Sequence, residues 1–77
     1  MSRIIQKNSQ YQIEYGEDFM LGLFIEVYEV ARAKEPDRGL VISFTSYHNG
    51  LTQGGIITLA EEYGFVVEPS EEIIKYD

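Results

Sequence analysis

The chain contains one histidine, His48, so general-base chemistry that uses imidazole near neutral pH has to use it. It lies in Ser46-Tyr47-His48-Asn49-Gly50, a stretch whose Asn-Gly pair marks a turn. Loops of this kind often carry active residues. Ser46 and His48 stand two apart. A nucleophile and base so placed face each other only through a specific turn, and a third, orienting carboxylate has to come from elsewhere. A solvated turn histidine is the simpler expectation. Tyr47 has nothing obvious in the sequence to bury it, and tyrosine is enriched at interfaces because it joins an apolar body to a polar tip. Tyr47, His48 and Asn49 are therefore candidates for a binding surface.

The carboxylates offer a second chemistry. Glu14, Glu17 and Asp18 cluster in sequence, and Glu61-Glu62 and Glu71-Glu72 are adjacent pairs. A calcium loop needs oxygen ligands at alternating positions around a central glycine, and no segment has that spacing. Adjacent glutamates on a helix diverge by about 100° and do not chelate together. Paired carboxylates can hydrolyse glycosides, but only in a cleft that one small layer is too shallow to provide. Gly54-Gly55 lacks both the lysine of a phosphate-cradling loop and the spacing of a dinucleotide fingerprint. No cofactor and no metal is expected. Glu61, Glu62, Glu71 and Glu72 are read instead as part of an acidic contact face.

These residues must be positioned by a small set of elements. Tyr11-Gln12-Ile13-Glu14-Tyr15 alternates as a half-buried strand, with Tyr11, Ile13 and Tyr15 on one face and Gln12 and Glu14 toward water. Ile4-Ile5 begins an earlier strand, and Asn8-Ser9-Gln10 is a turn. Gly16-Glu17-Asp18 is read as the next turn. Phe19 to Ala33 fits either period, but its β-branched and aromatic content favours a strand, with Leu23, Ile25 and Val27 facing one way and Phe24, Glu26 and Tyr28 the other. Lys34 to Gly39 is a turn in which Pro36 presets φ, Asp37 bonds locally and Gly39 takes a left-handed position. Leu40 to Thr45 is the clearest strand. Ser46 to Gly50 is read as a loop. Thr52 caps a helix over about 53–63 whose apolar stripe is Ile56, Leu59, Ala60 and Tyr63, and Gly64 closes it. Gly54-Gly55 should fray its first turn. A short extended run, Phe65-Val66-Val67, leads to a brief C-terminal helical turn capped by Ser70. The expected fold is α+β: an antiparallel sheet of three to four strands with one packed helix and a short C-terminal element, forming a single small domain over 1–77.

Composition sets the outer limits. The 77 residues are 44% hydrophobic and 25% charged, which is the content of a folded chain. A domain this small buries only about 60% of its unfolded surface, so a partner or a second copy would help it. No apolar run reaches the roughly eighteen residues of a membrane span, and no membrane partner is expected. There is no cysteine, and Met1 to Lys7 has no apolar core of a signal peptide, so a cytoplasmic location is expected. Thirteen acids against six bases give a net charge of −7, which argues against direct nucleic-acid binding. The charge is uneven: −2 over residues 1–38 and −5 over residues 39–77.

Tyr11, Ile13, Tyr15, Gly16 and Asp18, followed by an apolar strand, then Leu59, Tyr63 and Gly64 and an acidic tail, resemble a group of short uncharacterised bacterial proteins. The resemblance spans about two thirds of the chain and implies a hairpin-first α+β fold and no activity. In that group a tryptophan and a proline flank the turn aspartate, whereas here Glu17 precedes Asp18 and Phe19-Met20 follow it.

The leading expectation is a non-enzymatic protein that binds another macromolecule as adaptor or inhibitor, presenting an acidic face to a basic protein partner. One version of this is an acidic mimic of nucleic acid. The alternatives are a small-molecule-binding or catalytic oligomer that uses the Tyr47–Gly50 loop, and a self-associating structural protein that uses a sheet edge or the apolar 19–31 face.

Overall fold

The computed structural model describes residues 2–67. Four strands, β1 (Ser2–Lys7), β2 (Tyr11–Asp18), β3 (Gly22–Glu29) and β4 (Leu40–Thr45), form one antiparallel sheet in the order β1-β2-β3-β4. A one-turn helix, α1 (Ser46–Asn49), and a longer helix, α2 (Gln53–Glu62), follow. The protein is a small α+β fold with one packed helix, as the sequence patterning requires. The expected C-terminal element, with Glu71 and Glu72, lies outside the described residues. Among the described residues no helix is long and apolar enough to cross a membrane.

Each connection is fixed by a side chain bonding its own backbone. Between β1 and β2, the Asn8 carboxamide oxygen accepts from the amides of Gln10 (2.8 Å) and Tyr11 (2.7 Å). Between β3 and β4, a short 3-10 turn (Val30–Arg32) leads into the Pro36 loop, where Asp37 accepts from the Gly39 amide and Gly39 has φ 79°. The long apolar segment is thus a strand to Glu29 and then this turn. The pairing of β3 with β4 shifts register between Val27 and Tyr28, leaving Val41 as the extra residue of a bulge.

Two turn expectations need correction. Gly16 and Glu17 are not a turn, because β2 runs on to Asp18 and the reversal is Phe19-Met20-Leu21. The Asp18 carboxylate accepts from the Met20 amide (2.8 Å) and the Leu21 amide (3.0 Å), so the reversal starts at Asp18. These two backbone bonds also hold the Asp18 carboxyl below its ordinary pKa. Ser46 to Gly50, expected as a loop, is helical for one turn. The Thr45 hydroxyl accepts from the His48 amide at 2.9 Å, and Gly50 ends the turn at φ 66°.

The core lies between one sheet face and α2. Ile13, Tyr15, Ile25 and Val27 from β2 and β3 pack with Leu51, Ile56, Ala60, Phe65 and Val67. Leu59 and Tyr63 of the expected stripe pack against this cluster. Phe65 is drawn in by its amide bonding the Ala60 carbonyl at 2.9 Å. At the start of α2 the Thr52 hydroxyl accepts from the Gly55 amide at 3.1 Å. This cap holds the first turn despite Gly54 and Gly55. Thr52→Ala is expected to cost about 1 kcal/mol, and thermal unfolding should show it as a Tm lower by about 4–8 °C.

α2 runs from the β2–β3 end of the sheet to its β1–β2 end. There Tyr63 meets Tyr11 edge-on with centroids 4.9 Å apart, and Asn8 donates to the Tyr63 carbonyl. The two ends of the sheet therefore carry different residues.

Candidate functional site

Two places gather polar or reactive side chains: the sheet face away from α2, and the β2–β3 end. On that second face Glu14 and Glu26 stand directly opposite each other on β2 and β3. Like charges so placed repel, and two arginines answer them. Arg3 donates to Glu14 and lies 3.5 Å from Glu26, and Arg38 donates to Glu14 at 2.6 Å. Gln12 adds a bond to Glu14 and the Tyr28 hydroxyl donates to Glu26, each at 3.0 Å. The Arg3 guanidinium lies 4.8 Å over the Phe24 ring and Arg38 4.3 Å over the Tyr28 ring.

Glu14, expected to face water, is instead only 4% exposed. The strand period placed it correctly on the face opposite Ile13, but the arginines and aromatics covering that face come from distant parts of the chain. Burial pushes its carboxyl pKa up; the hydrogen bonds from Arg38 and Gln12, the Arg38 charge and Arg3 outweigh that and hold it below its ordinary value. Burial and the bond to Glu26 push the Tyr28 hydroxyl up to about 12. A general acid needs a carboxyl whose pKa is raised toward neutrality. Glu14 is moved the other way, and its network covers a sheet face that no helix covers among the described residues.

The β2–β3 end has a different character. The reversal Phe19-Met20-Leu21 and helix α1 are locked together: the Tyr47 amide donates to the Leu21 carbonyl (3.1 Å), and the Leu23 amide donates to the Ser46 hydroxyl (3.2 Å). Gly22 lets them close up, since a Cβ there would stand 3.0 Å from that of Ser46. Three large side chains then project from adjoining turns. Phe19 is 91% exposed, Met20 80% and Tyr47 74%. A shallow concavity lies between Met20 and Tyr47, lined also by Leu21, Gly22 and Ser46. The His48 ring meets Tyr47 edge-on at 4.8 Å. Glu17 and Asp18, at the end of β2, flank the patch. Phenylalanine, tyrosine and methionine are the residue types that interfaces concentrate, and large apolar side chains grouped in the open mark contact sites.

The expected site residues thus divide. Tyr47 and His48 join this apolar knob. The Asn49 carboxamide turns inward and accepts from the Thr45 amide at 3.0 Å, which buttresses the knob. Glu61 and Glu62 are exposed at the far end of α2 and lie apart from it. Ser46 and His48 do not form a nucleophile–base pair, because the Ser46 hydroxyl donates to the Leu51 carbonyl at 2.7 Å. Among the described residues no three His, Asp or Glu side chains converge to hold a metal ion. Phe19 and Met20, which were not among the expected site residues, stand exposed beside Tyr47. The available signal was Asp18: an aspartate that bonds the amides two and three residues on puts the next two side chains at a turn tip.

No protein-family model, curated protein sequence or solved structure matches this chain.

Proposed function

We propose that this is a non-enzymatic protein-binding module, an adaptor or inhibitor, and that the knob of Phe19, Met20 and Tyr47 is its contact surface. The single observation that carries this is the exposure of these three side chains, 74–91%, on a turn and a helix joined by the backbone bond from Tyr47 to Leu21. Rigid aromatic anchors give up little entropy on docking and dominate interface energetics. Glu17, Asp18 and the net charge of −7 favour a protein that offers an apolar pocket with a basic rim.

The test compares the wild type with Phe19→Ser/Met20→Ser and with Tyr47→Ser in capture of proteins from native lysate, at low and at high salt. The expected result is a protein held by the wild type, retained about tenfold less or worse by both variants, and shed at high salt. Equal retention by all three chains would place the contact elsewhere. The variants should melt with the wild type, since exposed side chains contribute little to folding.

A further inference from the structure

The end of the sheet opposite the knob is concave. Two adjoining hollows share Val30 and Ala33 as a common wall. One is bordered by Lys7 and Arg38, the other by Ala31 and Lys34. Glu29 borders the first hollow and Glu35 the second, and Arg32 pairs with both, with Glu29 at 2.6 Å and Glu35 at 3.4 Å. Glu61 and Glu62 line neither hollow. Lys7 and Lys34 have no carboxylate partner among the described residues. Val30, Ala31 and Ala33 are thus set in this end among four cations and two acids of the described residues, Lys7, Arg32, Lys34 and Arg38 against Glu29 and Glu35, whereas the knob end is apolar with two acids, Glu17 and Asp18, beside it.

We propose that a second copy of this chain docks its knob into this groove, head to tail. Phe19 and Met20 would lie against Val30, Ala31 and Ala33, with Glu17 and Asp18 toward Lys7 and Lys34. The two surfaces belong to opposite ends of the sheet, so each copy keeps one of each free. Such heterologous contact does not close on itself in a pair and extends into chains. At physiological salt the net repulsion between two acidic molecules is screened beyond roughly 8 Å, while charges at the contact still act. The inference rests on the knob as a contact surface.

The experiment is sedimentation velocity over a concentration series at physiological salt, with two complementary variants. Phe19→Ser/Met20→Ser removes the knob, and Lys7→Glu/Lys34→Glu reverses the groove. The wild type is expected to pass beyond dimer as concentration rises. Each variant alone is expected to remain monomeric, and an equimolar mixture to stop at a one-to-one dimer, because only one competent contact remains. Dilution of the labelled wild type, followed by nuclear magnetic resonance, should move the Phe19, Met20 and Tyr47 signals together with those of Val30, Ala33 and Lys34. A wild type monomeric throughout overturns the proposal, as does a dimer that saturates, or association that survives either variant. If the wild type stays monomeric yet captures a lysate protein through Phe19 and Met20, self-docking fails and the binding-module reading stands.

Discussion

Gly16→Ala is expected to detach β1 from the sheet and to cost on the order of 4 kcal/mol. Gly16 sits in the middle of β2, paired with Arg3, at φ 154°. A methyl group there would lie 2.3 Å from the Ser2 carbonyl oxygen, a backbone atom that cannot swing aside as a long side chain could. Relief requires moving β1, and β1 carries Arg3, one of the two arginines on Glu14. A chain of this length holds roughly 4–12 kcal/mol in all, so the loss is a large share. Thermal unfolding should show a drop in Tm, and hydrogen exchange should show the β1 amides losing protection first. A melting temperature within a degree or two of the wild type would mean that the β1–β2 register is not as close as described.

Glu14→Gln is expected to cost on the order of 2–3 kcal/mol near neutral pH. The carboxylate takes bonds from Arg3, Arg38 and Gln12, and the amide cannot satisfy the two cations. The upper end of the range for a broken buried pair does not apply, because Arg3 and Arg38 are about half exposed and water can resolvate them. The pH dependence separates charge from packing. The Glu14 pKa is lowered in the folded state from an ordinary value of 4.5. Its charged form is thus favoured by folding. That stabilisation is complete above about pH 4.5 and is lost as pH falls through the lower folded value. The stability gap between wild type and Glu14→Gln should be widest near neutrality and shrink on acidification. Denaturant unfolding at a series of pH values measures it. A gap that stays constant well below pH 4.5 would assign the effect to shape rather than to charge.

Most of the elements were legible because their causes are local. The alternation of Tyr11 to Tyr15, the Pro36-Asp37-Gly39 turn, the Thr52 cap and the closing Gly64 each depend on residues within a few positions of one another. Even the ambiguous segment after Phe19 resolved as β-branching favoured, with Leu23, Ile25 and Val27 on the core face. The helix over 53–62 survived its two glycines because the Thr52 hydroxyl meets the Gly55 amide.

What escaped the sequence depends on meetings between distant parts of the chain. Glu14 reads as a surface residue until Arg3 and Arg38, placed by a neighbouring strand and by a loop, close over it. Gly16 reads as a turn residue until the Ser2 backbone is seen pressed against it. Tyr47 was legible as an exposed side chain, but Phe19 and Met20 became its neighbours only when the Tyr47 amide reached the Leu21 carbonyl. By itself the sequence determined the fold class, the helix cap and the acidity, since propensity, period and charge count act through near neighbours or through simple addition. Only the tertiary structure decided which carboxylate is buried and which apolar side chains stand together in the open, because burial is set by whatever the fold brings from far along the chain.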